Sequence, residues 1–361
     1  MTEFAGWDMP VSYPRGSIEE HRLVRRSAGI FDVSHMGRFR VSGPRALEYL
    51  DRLVTASLAR VREHQSTYAL LCRDDGRVLD DLFVYHLPAW WLVVANAANR
   101  DKDFRWFEEH RRPSEHVAAD GVELTDISGE TAMIAFQGPE SLAVVDRLTD
   151  GGASRVPRFG SAELVLSGLP HRYADRSALV GRTGYTGEDG VELFVASEMA
   201  QAVWELLLHE AERAEVEAGP IGLAARDSLR FEPGFPLYGH ELTEEVTPLE
   251  ARLGWACDLD KEFIGRDAIA RQKETGVARR LATVRMTERG VPREGFRVLS
   301  EGEEVGHVAS GMYAPTIDAY CANVFVPAAL AKVGTEVHIE IRGRARAAVV
   351  VKRPLYKPAY R

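Results

Sequence analysis

Two adjacent carboxylates, Asp80 and Asp81, are the residues in this sequence best suited to acid–base chemistry. They lie between Val78-Leu79 and Leu82-Phe83-Val84, and this apolar run predicts a β-strand. Successive side chains of a strand point to opposite faces, so at least one carboxylate faces an apolar layer. Burial in such a layer would make it a candidate proton acceptor or hydrogen-bonding group. The alternative is a solvated pair near the end of a hairpin.

The hairpin that would hold these carboxylates is centred on Asp75-Gly76, a two-residue turn signal between two apolar runs. If that turn closes the hairpin, Tyr68 lies opposite Phe83. Opposed residues point to the same side of a sheet, and the period of two keeps alternate residues together. The sequence therefore predicts that Tyr68, Asp81 and Tyr85 share one face, and that the other carboxylate points the opposite way.

Two asparagines mark a predicted junction between a strand and a helix. Trp90–Ala95 is an apolar run typical of a strand, and Asn99 is a favourable N-cap for a charged helix over Arg100–His110. Asn96 directly follows the strand. Backbone and side-chain amides at such junctions can approach a ligand.

A glycine-rich loop in the middle of the chain has glycine at positions 181, 184, 187 and 190, followed by the predicted strand Val191–Val195. This spacing indicates a backbone that must pass close to another group. Tyr185 lies within the loop and Glu192 is the second residue of the strand. A tight connection without a ligand is the alternative.

One short predicted helix carries a candidate cation, Arg226. Gly219-Pro220 and Pro233-Gly234 bracket this helix, and Arg230, four residues further on, lies on the same side. The structural alternative for Arg226 is an ion pair on the helix surface with Asp227 or Glu232.

The composition is that of a folded chain of 361 residues with a formal charge of −9, which argues against nucleic acid as a partner. The longest strongly apolar run, about Ala89–Ala95, is far too short to cross a bilayer. Three scattered cysteines and the absence of a signal-peptide pattern predict a cytoplasmic protein. The segment Arg342–Arg361 has seven basic residues and no acidic one.

Several other chemistries find no support in the sequence. Asp32 and Ser34 would point away from His35 on one strand, so these three cannot form a hydrolase triad with each other. The chain lacks the GxSxG elbow, a histidine or cysteine spacing typical of zinc, the Walker A motif and the GxGxxG fingerprint.

Nine segments, in the same order along the chain, resemble the glycine cleavage T-protein (aminomethyltransferase) family. They are Phe4–Pro10, Gly29–Gly37, Leu79–Tyr85, Val94–Asn99, Phe136–Pro139, Arg182–Gly190, Gly222–Arg230, Leu237–Glu241 and Phe263–Arg266. Together they span nearly the whole chain.

The resemblance implies an α+β fold of three domains around a central folate channel, two of them ferredoxin-like and the third a C-terminal β-barrel. We expect domain 1 to comprise residues 1–38 and 124–228, domain 2 residues 39–123 and 229–275, and the barrel residues 276–361.

The resemblance also implies a function: transfer of a one-carbon unit from the aminomethyl-dihydrolipoyl arm of the H-protein to tetrahydrofolate, with release of ammonia and 5,10-methylenetetrahydrofolate. Tetrahydrofolate would act as co-substrate, without a metal or flavin, and no nucleic acid or membrane partner is expected. The alternative is a specialised tetrahydrofolate-dependent one-carbon transferase or demethylase that acts on another small molecule.

The family's site residues map onto this sequence position by position. Asp81 matches the catalytic aspartate. The positions that match folate-binding residues are Tyr68, Tyr85, Asn96, Tyr185, Glu192, Arg226 and, in the C-terminal tail, Arg361. After Pro315 the resemblance implies a lysine and then small apolar residues before the next strand, whereas this chain has Asp318, Tyr320 and Asn323. It also departs from the family pattern at Phe159, near which a tyrosine is expected.

Overall fold

A computed structural model describes residues 1–111 and 121–358. The described residues form two compact units. The first comprises Met1–Arg52, Ser57–Ala69 and Leu82–Leu229, and the second comprises Leu53–Ala56, Leu70–Asp81 and the segment from Arg230 onward. Among the helices of these two described ranges, none is long and apolar enough to cross a bilayer.

The strands and helices follow in chain order. The strands are β1 (Thr2–Phe4), β2 (Trp7–Met9), β3 (Ala28–Asp32), β4 (Gly37–Ser42), β5 (Ser66–Cys72), β6 (Val78–Leu87), β7 (Trp90–Ala95), β8 (Glu123–Asp126), β9 (Thr131–Gln137), β10 (Ser161–Val165), β11 (Ser177–Gly181), β12 (Gly190–Ala196), β13 (Ala218–Pro220), β14 (Arg279–Met286), β15 (Arg297–Ser300), β16 (Glu303–Ala314), β17 (Ala319–Pro327), β18 (Glu336–Ile341) and β19 (Arg344–Val351). The α-helices are α1 (Ser17–Arg26), α2 (Ala46–Leu53), α3 (Arg100–His110), α4 (Ser141–Thr149), α5 (Gly152–Arg155), α6 (Ala200–Arg213), α7 (Leu223–Phe231) and α8 (Arg266–Thr275).

The first unit contains a six-stranded sheet in the order β10-β11-β12-β9-β3-β13. Its neighbours are antiparallel except β13 and β3, which are parallel. Helices α4 and α6 supply the opposing apolar side chains of this core. On α6, Val203, Leu207 and Ala211 are buried at a spacing of four, so a single stripe of the helix faces the sheet.

A second sheet has the order β5-β6-β7-β4-β8. The strand predicted over Trp90–Ala95 and the helix predicted over Arg100–His110 are confirmed with those bounds as β7 and α3. Phe39 of β4 packs against Phe107 of α3. This contact holds the helix on one face of the sheet.

The hairpin between β5 and β6 is confirmed, but its predicted two-residue turn is wrong. The Gly76 N–H donates to the Arg73 carbonyl at 2.8 Å, and the Arg73 N–H donates to the Arg77 carbonyl at 2.9 Å. The loop therefore has three residues and ends on Gly76, which has a left-handed φ of 79°. Compared with the prediction, the pairing at the turn is shifted by one residue. The position of the turn therefore gives no support for pairing Tyr68 with Phe83.

The second unit contains a closed barrel of six strands in the order β14-β17-β16-β15-β18-β19. The expected fold class, α+β with a C-terminal β-barrel, is confirmed. The barrel core consists of small and β-branched residues such as Val284, Val308, Val324 and Val337, all fully buried. The residue limits of the three domains stay a prediction.

A buried ion pair, also in the second unit, explains one departure from the family pattern. Arg230 Nη1 donates to Glu241 Oε2 at 2.7 Å, and both side chains are at most 1% exposed. Asn323 Nδ2 donates to the other carboxylate oxygen at 2.7 Å, and Ser310 donates to it as well. Burial by itself raises the pKa of Glu241, but Arg230 and these hydrogen bonds outweigh burial and lower it to about 2. Asn323 therefore donates to the buried carboxylate of Glu241. An apolar residue at position 323 would remove this hydrogen bond.

The glycine-rich loop passes close to Gln137, the last residue of β9. Gln137 is fully buried, and its Nε2 donates to the carbonyls of Thr183 at 3.0 Å and Val191 at 3.1 Å. At Gly190, where φ is +154°, an added Cβ would lie 2.5 Å from the Phe136 carbonyl oxygen. Gly190 therefore serves close packing against β9.

We predict that Gly190→Ala destabilises the protein by about 3 kcal/mol, because the new methyl group meets rigid backbone and the residue is forced into a φ that only glycine adopts easily. Urea unfolding of both proteins measures the loss. Gly129→Ala is the matched control, since a Cβ there meets no atom within 4 Å. Equal stability of the two variants would contradict the packing argument.

Candidate active site

Strand β6 carries the two carboxylates in different environments. Asp80 is fully buried, whereas Asp81 is partly exposed. Alternation along the strand puts Asp81 on the same face as Phe83 and Tyr85. Of the two carboxylates, Asp81 is therefore the one that a solvent-borne molecule can reach.

Three polar side chains of the first unit form a cluster at Tyr85. The Tyr85 hydroxyl lies 2.6 Å from Thr183 Oγ1 and donates to Glu192 Oε2 at 3.2 Å. Thr183 also donates to that carboxylate oxygen, at 2.5 Å. Gly181 makes this approach possible, because a Cβ there would lie 2.8 Å from the Tyr85 ring. Two donors thus converge on one oxygen of Glu192.

The second oxygen of Glu192, Oε1, receives no hydrogen bond from any residue in the described part of the chain. Burial raises the pKa of Glu192 above its ordinary value, although Thr183 and Arg226 oppose this shift. Burial, together with Glu192, holds the pKa of the Tyr85 hydroxyl far above its usual range, so that hydroxyl stays a donor. The cluster therefore offers a carboxylate oxygen to a ligand that has N–H groups.

Arg226 and Tyr185 lie together in the first unit. The Arg226 guanidinium lies over the Tyr185 ring, 4.8 Å from its centroid. Both side chains are partly exposed, and the charge of Arg226 acts on Glu192. The glycine-rich loop and helix α7 thus bring a cation, an aromatic ring and a carboxylate into one region.

Two other predicted site residues lie in or directly beside strands of the second sheet. Tyr68, in β5, and Asn96, directly after β7, are both partly exposed. Arg361 lies outside the described residues.

An aromatic surface beside Tyr85 was missed in the sequence. Phe83 stacks on Phe159 with ring centroids 6.1 Å apart and 22° between the planes, and it also contacts Tyr85, 5.6 Å away. Phe194 meets Tyr85 edge-on at 5.5 Å. Phe159 is 51% exposed, so the surface is open to a flat ring. The sequence showed that Phe159 departs from the family pattern, but it did not show that Phe159 stacks on Phe83.

Across residues 1–111 and 121–358, no group of three or more histidine, cysteine, aspartate or glutamate side chains is arranged to hold a metal ion. The arrangement that does occur is a carboxylate acceptor, an aromatic surface and an arginine. Groups of these kinds suit a flat ligand that has N–H donors and a negative charge.

Comparison with known proteins identifies the family of the chain. Residues 1–261 match the family model for the GCVT N-terminal domain, and residues 279–357 match the glycine cleavage T-protein C-terminal barrel domain. Aminomethyltransferases of Symbiobacterium thermophilum and Herpetosiphon aurantiacus are 45% and 43% identical to the chain, over 100% of it and 94% and 95% of their own lengths. A crystal structure of the glycine cleavage system aminomethyltransferase T from Bartonella henselae matches with a TM-score of 0.88 and 32% identity, over 99% of this chain and 94% of that one. This chain therefore belongs to the glycine cleavage T-protein family of aminomethyltransferases.

We predict that Glu192→Gln stabilises the fold increasingly as the pH rises above 4.5, the ordinary pKa of glutamate. A raised folded-state pKa means that this group's contribution to stability is present at low pH and is lost as the pH rises through the folded value. Glutamine stays neutral and can still accept from Thr183. The Tm difference between variant and wild type should therefore be larger at about pH 8 than at about pH 5.

Glu163→Gln, at an exposed position of β10, is the control and should show no such trend. A Tm difference for Glu192→Gln that does not change with pH would refute the assigned pKa shift.

Proposed function

We propose that this chain transfers the aminomethyl group of the H-protein dihydrolipoyl arm to tetrahydrofolate. The observation that carries the proposal is the match over the whole chain to relatives named aminomethyltransferase. Because these full-length relatives bear that name, the alternative of a specialised one-carbon transferase or demethylase acting on another small molecule is not favoured. Two carbon–nitrogen bonds form to the acceptor while the donor's carbon–nitrogen and carbon–sulfur bonds break, and the two displaced protons end on ammonia and the thiol.

The residues present suit a pterin. Its N–H groups would donate to Oε1 of Glu192, the carboxylate oxygen that takes no hydrogen bond from the protein part described. Its flat ring would pack on the surface of Phe83, Tyr85 and Phe159. We assign Tyr68, Asn96 and Tyr185 to the same ligand on the family match. Arg226 would hold the anionic end.

Asp81 is the residue that we propose acts in the transfer step. A carboxylate at the reacting nitrogen orients it by accepting its N–H, raises its nucleophilicity and stabilises positive charge that develops as ammonia leaves. Its partial exposure and its place on the Phe83 and Tyr85 face of β6 suit this role. The buried neighbour, Asp80, has no such access.

The partners and compartment are also proposals. We infer that the lipoyl-bearing H-protein delivers the one-carbon unit and that Arg361 contributes to the folate site. All three cysteines are free thiols, which supports a reducing, cytoplasmic setting.

The direct test supplies the protein with tetrahydrofolate and aminomethyl-loaded H-protein, and measures methylenetetrahydrofolate and ammonia together. We expect both products in equal amounts. Tight folate binding without either product would refute the transfer reaction while leaving the folate site in place.

We predict that Asp81→Asn lowers kcat roughly a hundredfold or more and leaves the Tm nearly unchanged, because the amide cannot take the carboxylate's charge role. Asp80→Asn, the matched neighbour, should instead destabilise the fold by about 1–3 kcal/mol, because it disturbs a fully buried polar group. Steady-state kinetics and thermal unfolding of both variants give the comparison. The reverse pattern would show that the two strand faces have been assigned the wrong way round.

Arg226→Gln should raise the KM for tetrahydrofolate roughly tenfold, because one charge-assisted contact to the ligand is lost. Arg226→Lys keeps the charge and should recover part of that loss. An unchanged KM in both variants would show that Arg226 does not bind tetrahydrofolate and has only a structural role on helix α7.

A further inference from the structure

A cavity of 740 Å³ in the second unit is lined by five arginines, and we call it the arginine pocket. Two come from the segment between β14 and β15, one from the turn between β18 and β19, and two from β19: Arg289, Arg293, Arg342, Arg344 and Arg346. The transfer reaction proposed above uses none of these residues. Its volume is in the range of small-molecule sites.

The charges of this pocket are largely uncompensated. Arg346 lies 3.9 Å from Glu288. Within the described residues, the other four arginines, Arg289, Arg293, Arg342 and Arg344, have no ion-pair partner. The whole chain has more acidic than basic residues, 54 against 45, so a group of four unpaired guanidinium groups is not a consequence of composition. Such a group concentrates positive potential in one concave place.

The backbone conformation at Arg342, one of the arginines of the pocket, is unfavourable for a residue other than glycine, asparagine or aspartate. Ile341 pairs with Arg344, so Arg342 and Gly343 form a two-residue turn, with φ of 51° and 72°. Asparagine, aspartate or glycine is preferred where a hairpin turn needs positive φ. An arginine there costs stability. Arg342 also places a guanidinium group at the pocket, which is a function that asparagine, aspartate or glycine could not supply.

The pocket also has apolar and aromatic walls. Phe296 and Tyr320 line it together with Ile341, and Tyr320 is 36% exposed. Arginine and aromatic side chains both stack on flat rings. The lining thus combines several cations with surfaces suited to an aromatic group.

We propose that the arginine pocket binds a di- or triphosphate joined to an aromatic base, that is, a nucleotide. Guanidinium groups match phosphate oxygens in pairs, and four uncompensated cations suit the charge of two or three phosphates better than that of one carboxylate. The aromatic walls take the base. This site is independent of the transfer reaction.

The test is calorimetric titration of the full-length protein with ADP, pyrophosphate and adenosine. We expect ADP to bind more tightly than pyrophosphate, adenosine to bind weakest, and added salt to weaken ADP binding. Arg342→Asn should raise the Kd for ADP roughly tenfold, since a charge-assisted contact is lost. The same change should keep or raise the Tm, because asparagine tolerates the positive φ.

Two further variants separate the parts of the ligand. Tyr320→Leu should weaken ADP roughly fivefold and leave pyrophosphate unchanged. Arg271→Gln, an exposed arginine of α8 outside the pocket, removes the same charge and should leave every Kd unchanged.

Three results would overturn the proposal. The first is no binding of ADP, and the second is equal loss in Arg342→Asn and Arg271→Gln. The third is binding of the H-protein that depends on these arginines while nucleotides do not bind, which would make the pocket a protein-docking face. Equal affinity for ADP and pyrophosphate would overturn the aromatic part of the assignment.

Discussion

The hydrogen bonds of Gln137 are the constraint on which the candidate site depends. This buried amide at the end of β9 donates to the carbonyl of Thr183, within the glycine-rich loop, and to that of Val191, directly after it. The loop is thereby held against the sheet, and Thr183 reaches the carboxylate of Glu192. Without glycine at positions 181 and 190, the Tyr85 ring and the Phe136 carbonyl would collide with the loop. A packing requirement therefore determines the geometry of a polar site.

Glu241 and Glu192 illustrate opposite solutions to the cost of removing a carboxylate from water. Glu241 is surrounded by an arginine and several hydrogen-bond donors, so it stays ionised despite complete burial, with a pKa of about 2. Glu192 has only two donors, both on one oxygen, and burial raises its pKa. The first carboxylate is saturated by protein groups and serves structure. The second keeps an acceptor for a ligand.

The arginines of this chain likewise differ in their surroundings, since some pair with a buried carboxylate and others stay at least partly exposed. Arg230 neutralises a buried carboxylate, whereas Arg226, four residues earlier, stays partly exposed over Tyr185. Around the arginine pocket, Arg289, Arg293, Arg342 and Arg344 have no carboxylate partner within the described ranges. Guanidinium groups left without internal partners in an acidic protein are the ones available to an anionic ligand.

The sequence by itself determined the family, the fold class and the local elements, because these follow from periodicity, turn residues and ordered motifs along the chain. The strand Trp90–Ala95 and the helix Arg100–His110 needed no tertiary information. The two-residue turn predicted before β6 is one residue too short. Only the backbone hydrogen bonds of Arg73 distinguish a two-residue loop from a three-residue one. The stacking of Phe83 on Phe159, the role of Asn323 beside Glu241 and the gathering of five arginines join residues far apart in the chain. Only the tertiary structure decided these, because contacts between distant segments depend on how whole sheets pack.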